Sequence, residues 1–218
     1  MKINKLFNLS NTISASLFNE AEYPWQVLSH ISAFILKLGE GLSEADYYKK
    51  ENDIWISKTA KISDTAFLKG PLIIDHGVEI RQGAFIRGGV IIGKGSVVGN
   101  STEIKNSILF DRVQVPHFNY IGDSVLGYMA HFGAGALTSN VKSDKTCVSV
   151  RCGDDLVLTD LKKFGAMVGD NVEIGCNTVL CPGTVIGKNT NIYPLSMVRG
   201  YVEENSIYKN KNEIIKKR

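Results

Sequence analysis

An aliphatic residue returns at every sixth position over two long stretches of this chain, and that spacing constrains the fold more than any other feature. The first run consists of Ile56, Ile62, Leu68, Ile74, Ile80, Ile86, Ile92, Val98 and Ile104. The second run consists of Val168, Ile174, Leu180, Ile186, Ile192 and Val198. A period of six fits neither an α-helix nor the two-residue alternation of an ordinary strand.

Six-residue repeats are typical of a parallel β-helix, in which each repeat supplies one short strand and one turn. Three repeats close one triangular coil, so equivalent positions on neighbouring coils should lie about eighteen residues apart. We therefore predict an all-β protein whose β-helix occupies residues 52–200. Its aliphatic side chains stack inside the coil, and small residues allow the backbone to bend at the corners.

The segments outside the repeats predict additional elements. Apolar residues between positions 24 and 38 recur at intervals of three and four, with Pro24 before them and Gly39 after them, as in a helix. A second short helix is predicted from Ser43. We interpret residues 1–51 as a helical cap over the open end of the first coil. Residues 138–167 carry no repeat and are predicted to leave the coil as a loop. Residues 201–218 are predicted to form a tail that is a short helix or a frayed arm.

Charge and composition exclude several classes of function. A formal net charge of +3 offers no concentrated basic surface for nucleic acid. No apolar segment is long enough to span a membrane, and the first residues do not resemble a signal peptide, so we expect a cytoplasmic protein. The four cysteines are Cys147, Cys152, Cys176 and Cys181. Each pair is five positions apart, wider than the usual zinc-binding gap, so we expect free thiols and no metal.

The six-residue spacing becomes irregular around His117. Ile121 follows Pro116 by five positions, and Leu126 follows Ile121 by five, before Phe132 restores the interval of six. Interruptions of a packed repeat are places where function is expected. A histidine there is a candidate general base, since imidazole exchanges protons near neutral pH.

Three cations follow inward-facing residues at intervals of eighteen: Lys69, Arg87 and Lys105. The spacing predicts that they stack on one edge of the coil, about 4.8 Å apart. Like charges at that distance repel each other, which a protein tolerates most readily where an anion binds. The alternative is three cations that are separately solvated.

The segments His117-Phe-Asn-Tyr-Ile-Gly-Asp and Gly133-Ala-Gly-Ala-Leu-Thr-Ser-Asn140 resemble the acetyltransferase half of the bifunctional enzymes that make UDP-N-acetylglucosamine. The resemblance extends from about residue 75 to residue 211. It implies a left-handed β-helix that forms a homotrimer. It also implies transfer of an acetyl group from acetyl-CoA to the amine of glucosamine-1-phosphate or a similar amino sugar.

The resemblance also implies individual roles. His117 matches the catalytic base of that family. The positions that match its substrate-binding residues are Arg87, Lys105, Tyr120 and His131. The positions that match its acetyl-CoA contacts are Ala134, Asn140, Cys176 and Lys211. Ala134 and Cys176 would act through backbone groups.

Two departures from the family bear on the substrate. His131 replaces a substrate-binding asparagine, and Val141 replaces a tyrosine beside the cofactor. Residues 1–51 are too short to hold the family's uridyltransferase half. The acceptor is therefore expected to be an amino-sugar phosphate or a nucleotide sugar.

Two alternatives remain open. One is a non-catalytic trimeric β-helix that binds ligands. The other is a metalloenzyme resembling γ-class carbonic anhydrases, which requires His76, His117 and His131 to converge on zinc.

Overall fold

The computed structural model describes residues 1–217, in which short strands wind into a solenoid. The α-helices are α1 (Ile3–Leu6) and α2 (Ile31–Glu40), and 3₁₀ turns lie at Leu9–Asn11, Ala15–Phe18 and Pro24–Ser29. The strands are β1 (Tyr47–Lys50), β2 (Ile54–Ser57), β3 (Lys61–Ile62), β4 (Phe67–Leu68), β5 (Leu72–Ile74), β6 (Glu79–Ile80), β7 (Phe85–Ile86), β8 (Val90–Ile92), β9 (Val97–Asn100), β10 (Glu103–Leu109), β11 (Gln114–His117), β12 (Tyr120–Leu126), β13 (His131–Phe132), β14 (Leu137–Thr138), β15 (Ser149–Cys152), β16 (Asp155–Leu158), β17 (Ala166–Val168), β18 (Glu173–Ile174), β19 (Val179–Leu180), β20 (Thr184–Ile186), β21 (Asn191–Ile192), β22 (Met197–Val198), β23 (Tyr201–Val202), β24 (Ser206–Asn210) and β25 (Glu213–Lys216). No helix among these residues is long and apolar enough to cross a membrane.

The parallel strands form three faces. Face 1 contains β2, β5, β8, β17, β20, β23 and the second halves of β10 and β12. Face 2 contains β3, β6, β9, β11, β13, β18, β21 and β24. Face 3 contains β4, β7, β14, β19, β22 and the first halves of β10 and β12. The chain therefore visits one face after another, as the predicted β-helix requires, and that prediction is confirmed.

The interior is built from stacked aliphatic residues. On face 1 each inward residue pairs in register with its counterpart on the next coil, and all are buried: Ile56, Ile74, Ile92, Leu109, Leu126, Val168, Ile186 and Val202. Such stacking gives each coil the apolar contacts that a single coil could not make alone. The six-residue repeats therefore form the core, as predicted.

The N-terminal segment lies along the side of the solenoid, and this corrects the prediction of a cap over the first coil. Helix α2 packs on β5, β8 and β10, which belong to face 1. Outward residues of that face are consequently buried too, among them Ile73, Ile91 and Val125. By contrast, Ile62 and Leu68 on the first coil remain partly exposed. Face 1 is apolar on both surfaces, and only a covering segment can bury the outer one.

Hairpins close both ends of the solenoid. Strand β1 pairs antiparallel with β2, so the helix predicted from Ser43 is a turn and a strand instead. At the other end, β23 and β24 continue faces 1 and 2, and β25 turns back antiparallel on β24. The predicted C-terminal helix or frayed arm is therefore an extension of the coil. An antiparallel strand at each end pairs edge groups that would otherwise be open.

The chain between β14 and β17 leaves the coil and contains the antiparallel hairpin of β15 and β16, but this excursion is shorter at both ends than the predicted 138–167, because Thr138 ends β14 and Ala166 begins β17. The solenoid resumes in register, since Leu126 on β12 pairs with Val168 on β17. The excursion departs from the corner where face 3 meets face 1, which we call the third corner. Residue Phe164, near its return point, is buried against Trp25 of the N-terminal segment.

The third corner is also where the coil is irregular, and here the sequence interpretation was wrong in detail. Ser107 pairs with Ser124, a spacing of seventeen residues, whereas Ile73 and Ile91 are eighteen apart. The inward residues around His117 are Val115 and Ile121, a regular interval of six. Two intervals are shortened to five residues, and both cross the third corner: Ile104 to Leu109 and Ile121 to Leu126. The turns at Asn106 and Asp123 are therefore the irregular ones, and His117 lies on a regular part of the coil.

Candidate active site

The third corner gathers a compact group of polar side chains around the carboxylate of Asp123. Its Oδ2 atom lies 3.1 Å from Lys105 Nζ and accepts a hydrogen bond of 2.5 Å from Asn140 Nδ2. Its Oδ1 atom accepts a hydrogen bond of 2.9 Å from Asn106 Nδ2. The carboxylate is only 5% exposed, so its charge depends on these donors.

Tyr120 joins this group from face 3. Its hydroxyl oxygen accepts a hydrogen bond of 3.2 Å from Asn140 Nδ2. A Cβ atom on Gly122 would lie 2.6 Å from the Tyr120 hydroxyl and 2.9 Å from Asn140 Nδ2, so a larger residue there would displace these two side chains. Three residues predicted to bind substrate or cofactor, Lys105, Tyr120 and Asn140, are thus brought together, although they are distant in sequence.

The predicted ladder of cations also forms. Lys69 donates its N–H to the carbonyl of Ile86, and Arg87 donates to that of Ile104, so Lys69, Arg87 and Lys105 occupy successive coils of face 3. Arg87 Nη1 lies 2.6 Å from Glu103 Oε1, and the hydrogen bond to this carboxylate raises the pKa of Arg87. Arg87 and Lys105 are therefore stacked on neighbouring coils, and each is paired with a carboxylate, Glu103 and Asp123 respectively.

A second set of predicted residues stacks at the corner where face 2 meets face 3, which we call the second corner. His117 ends β11, and its carbonyl accepts the N–H of Gly135, immediately after Ala134. The carbonyl of Ala134 accepts the N–H of Asn177, immediately after Cys176. His117, Ala134 and Cys176 consequently lie on three successive coils, and the His117 and Cys176 side chains are exposed.

The backbone at His117 is held firmly although its imidazole is exposed. The amide of His117 donates to Asn119 Oδ1 at 3.1 Å, and Asn119 Nδ2 donates to the carbonyls of Gly133 and Ala136 at 2.9 Å. Phe118 adopts a φ of 52°, a region that bulky residues rarely occupy, with its ring 64% exposed. The same left-handed φ recurs at the equivalent position of other coils, as at Ser101 and Asn177, so it belongs to the turn of the solenoid.

Two predicted residues lie apart from both groups. His131 Nδ1 lies 2.7 Å from Glu173 Oε2 on face 2, at the start of β13, and not at a corner. Lys211 is exposed in the turn between β24 and β25, at the C-terminal end of the solenoid. On face 2 the strands β13, β18 and β21 separate β24 from β11. At about 4.8 Å per strand, Lys211 is about 19 Å along the solenoid from the coil of His117.

Two of the three histidines that a carbonic-anhydrase-like site requires, His76 and His131, are bound to separate carboxylates. His76 Nδ1 lies 2.6 Å from Asp75 Oδ1, and the same oxygen accepts a hydrogen bond of 2.5 Å from Tyr47. Burial, together with this hydrogen bond, raises the pKa of Tyr47. His131 is bound to Glu173 instead. Among residues 1–217, no three His, Cys, Asp or Glu side chains are grouped in a way that could hold a metal ion.

The sequence interpretation did not give Asp123 or Asn106 a role. The available signal was a spacing of seventeen, because Asn106, Asp123 and Asn140 are polar residues at equal intervals. Asn106 and Asp123 have φ values of 42° and 48°, which Asn and Asp tolerate better than other side chains. A seventeen-residue coil was not foreseen, so these three positions were not recognised as neighbours.

Two protein families match parts of this chain. Residues 68–162 match the C-terminal domain of GMPPB, and residues 165–200 match the bacterial transferase hexapeptide, described as six repeats. The second match confirms the hexapeptide repeat that was predicted from the spacing of aliphatic residues.

Curated relatives agree with the predicted resemblance. The chain is 37% identical over 204 residues to the bifunctional protein GlmU of Methanococcus maripaludis, covering 91% of this chain and 48% of the relative. It is 35% identical over 102 residues to the bifunctional sugar-1-phosphate nucleotidylyltransferase/acetyltransferase of Sulfurisphaera tokodaii, covering 45% of this chain and 25% of the relative. The chain therefore spans half or less of the length of the curated relatives it matches.

Among solved structures, the acetyltransferase domain of PglB from Neisseria gonorrhoeae, in complex with acetyl coenzyme A, is 16% identical with a TM-score of 0.34. The match covers 87% of this chain and 63% of that domain. A similarity this low supports no argument about the present chain. The relationship to GlmU is the finding that bears on function.

Proposed function

We propose, from the premise that this chain belongs to the hexapeptide-repeat family and is related to GlmU, that it is an acetyl-CoA-dependent N-acyltransferase. One observation carries the proposal. Homology to an enzyme family covers 91% of the chain, and seven of the nine positions matched to that family form two groups on adjoining corners of the coil, His131 and Lys211 being the exceptions. The acceptor is the amine of an amino-sugar phosphate or a nucleotide sugar.

In the proposed reaction, the amine nitrogen attacks the thioester carbonyl of acetyl-CoA. A C–N bond forms, the C–S bond breaks, and coenzyme A departs with its sulfur. His117 accepts the proton that the amine loses and returns it to the departing thiolate. Its imidazole is exposed on a firmly held backbone, as a base that meets an incoming substrate requires.

The oxyanion that forms on the carbonyl carbon needs a hydrogen-bond donor. Within residues 1–217 the backbone N–H of Ala134 donates to no protein acceptor, unlike the N–H groups of Gly133 and Gly135 on either side of it. Ala134 occupies the coil next to His117 at the same corner. Its N–H is therefore the donor that we assign to the oxyanion.

The cations of face 3 bind the anionic part of the acceptor. Arg87 and Lys105 keep hydrogen-bond donors available beyond the single carboxylate that each contacts. The Tyr120 hydroxyl uses its oxygen to accept from Asn140, which leaves its O–H free to donate to a sugar or phosphate oxygen. His131, which replaces the family's substrate-binding asparagine, is paired with Glu173 on face 2, away from these cations.

Acetyl-CoA lies along the second corner, from the coil of His117 toward the C-terminal end. Ala134 and Cys176 contact it through backbone groups, and Lys211 meets its phosphates at the far end of the solenoid. Asn140 approaches the cofactor from the third corner. These residues form an open surface on one chain, so a neighbouring subunit of a homotrimer completes the site.

The test is a direct assay of acetyl transfer. Purified protein is incubated with acetyl-CoA and, in parallel, with glucosamine-1-phosphate and with nucleotide-linked amino sugars. Release of the coenzyme A thiol is followed, and the acetylated product is identified by mass spectrometry. A thermal-shift measurement with each ligand reports binding independently, since ligands of the folded state raise its melting temperature. Binding without turnover for every acceptor would indicate the non-catalytic alternative instead.

A further inference from the structure

Asp123 is the most completely surrounded acidic group at the candidate site, and neither the repeat nor the family resemblance gave it a role. We propose that Asp123 is a positioning residue whose buried carboxylate holds Lys105 and Asn140 in the arrangement that binds the acceptor anion and acetyl-CoA. This inference deepens the proposed function and rests on it. It concerns how one residue couples the two substrate sites.

The carboxylate of Asp123 links Lys105 and Asn140 directly. Asp123 Oδ2 alone contacts both Lys105 Nζ, at 3.1 Å, and Asn140 Nδ2, at 2.5 Å. Lys105 belongs to the cation ladder, whereas Asn140 begins the excursion that leaves the coil. The two side chains come from different coils and meet only at this oxygen. Asn106 holds the other carboxylate oxygen at 2.9 Å, so the carboxylate cannot rotate freely.

Asp123 fixes the orientation of the Asn140 side-chain amide. A carboxylate only accepts hydrogen bonds, so the Nδ2 group of Asn140 has to point toward Asp123. The Oδ1 atom of Asn140 consequently faces away from Asp123 as an acceptor. The Tyr120 oxygen accepts from the same Nδ2 group, which leaves the Tyr120 O–H free as a donor. Asp123 therefore fixes which atoms the site offers as donor and as acceptor.

Asp123 also supplies the negative charge that the largely buried Lys105 needs. The side chain of Lys105 is only 17% exposed, and a cation in that position needs a nearby negative charge when no ligand is bound. Asp123 supplies it with one contact, and the ammonium group keeps further N–H donors for a phosphate.

The experiment compares Asp123→Asn with a matched control. Asn is isosteric and tolerates the φ of 48° at this position, so the fold should survive. The control is Asp170→Asn. Asp170 is also buried beside a lysine, with Lys188 Nζ at 3.4 Å, and it accepts backbone N–H bonds from Asn8 and Tyr128 far from the site. Both variants lose one buried carboxylate, and only one of them loses the coupling.

We expect Asp123→Asn to raise the KM for the acceptor and the KM for acetyl-CoA together, with kcat/KM falling about 10- to 100-fold, the cost of misplacing a binding group. Asp170→Asn should change thermal stability and neither KM. Lys105→Ala should raise mainly the acceptor KM, and Asn140→Ala mainly the acetyl-CoA KM. If the two KM values of Asp123→Asn equal those of Asp170→Asn, the positioning role is wrong while the proposed function stands.

A second readout does not depend on activity. The side-chain NH₂ resonances of Asn140, assigned by their loss in Asn140→Asp, should shift in Asp123→Asn and stay in place in Asp170→Asn. Should the wild-type protein transfer no acetyl group to any acceptor, the proposed function fails, and these resonances alone decide the arrangement around Asp123. Unshifted resonances in Asp123→Asn would overturn the inference.

Discussion

His117 combines an exposed imidazole with a backbone fixed by Asn119, so its loss should affect the reaction more than the fold. We expect His117→Ala to lower the acetyl-transfer rate roughly 10²- to 10⁴-fold, the usual contribution of a positioned base. Binding of both substrates should persist, because the base acts only as the amine loses its proton. The measurement is steady-state kinetics beside calorimetric binding. His30→Ala, at an exposed position on the N-terminal segment, is the control. Near-normal turnover in His117→Ala would remove it from the mechanism.

The cation ladder makes a separate prediction about ligand choice. Arg87→Ala and Lys105→Ala should each weaken binding of the amino-sugar phosphate by ~1.5–3 kcal/mol, the range for a charge-assisted hydrogen bond. Acetyl-CoA affinity should change little, and Lys94→Ala, an exposed lysine outside the ladder, should affect neither ligand. Isothermal titration with each ligand separates these cases. Equal losses of affinity for the amino-sugar phosphate and for acetyl-CoA would mean that the cation ladder does not serve the amino-sugar phosphate alone.

Asp111 predicts a pH dependence of stability. Burial is the main cause that raises the pKa of its carboxyl group, and the nearby Asp75 adds to it. Between the ordinary value of about 4 and the raised folded value, the native state holds a proton that the unfolded chain has lost. The free energy of unfolding should therefore fall as pH rises through that window. Urea titrations at several pH values should show a smaller fall in Asp111→Asn.

Asp144 serves as the control of opposite sign. The backbone N–H and side chain of Thr146 lower the pKa of this carboxyl group. Its contribution to stability is present above the ordinary value and is lost as pH falls through the lowered one. Asp144→Asn should thus leave unchanged the decline in stability that Asp111 causes as pH rises above about 4. If Asp111→Asn gave the same profile as Asp144→Asn, the pH dependence would have another source.

At the scale of elements, the docking of α2 on face 1 can be tested at one glycine. A Cβ atom on Gly39 would lie 2.4 Å from the ring of Trp55 on β2. Alanine is the better helix former by roughly 1 kcal/mol, so Gly39→Ala would stabilise an undocked helix. Against Trp55 we expect it to destabilise the protein by ~1–3 kcal/mol, as overpacking does.

The matched control is Gly41→Ala at the end of the same helix. The nearest atom to its Cβ would be the Leu38 carbonyl oxygen at 3.5 Å, an ordinary contact. The free energy of unfolding of the Gly41→Ala protein, measured by chemical denaturation, should change little. A stabilising Gly39→Ala would mean that α2 does not press on face 1.

The repeats made the interior of the solenoid predictable, because one aliphatic residue per six positions can serve only as an inward-facing column. The location of the N-terminal segment was not predicted, although a signal existed. Face 1 strands read as apolar runs of three, such as Leu72–Ile74 and Val90–Ile92, while face 2 strands such as Lys61–Ile62 and Glu173–Ile174 carry one aliphatic residue beside a polar neighbour. Runs of that kind indicate a sheet buried on both surfaces.

The site was predictable to a similar extent. Arg87 and Lys105 were recognised as neighbours because the coil between them has the expected eighteen residues. Asp123 and Asn140 were not, because that coil is one residue shorter and the excursion follows directly. Which coil is one residue shorter at its corner depends on the backbone hydrogen bonds between coils, and these cannot be read from a single sequence.

At the scale of the whole molecule, exposed apolar side chains are unevenly distributed. The N-terminal segment covers the outer surface of face 1, whereas face 3 and the second corner present large apolar groups to solvent. Phe67 and Met197 on face 3 are 62% and 63% exposed, and Leu195 at the second corner is 79% exposed. Apolar surfaces of this kind mark interaction sites on soluble proteins.

We therefore predict a homotrimer in which face 3 and the second corner of each subunit meet a neighbouring subunit with parallel solenoid axes. Light scattering at micromolar concentration should give a mass of about 72 kDa, three times the chain mass of 23.9 kDa. Leu195→Asn should shift the protein toward the monomer and lower acetyl transfer with it, because the cofactor surface at this corner would lose its neighbour. Asn suits the φ of 59° at this position better than Leu, so a weakened trimer could not be blamed on a strained backbone. Leu36→Asn, at a 40% exposed position of α2, which packs on face 1, should leave the mass unchanged. A wild-type mass near 24 kDa would refute the assembly, and full activity in that monomer would place the whole site on one chain.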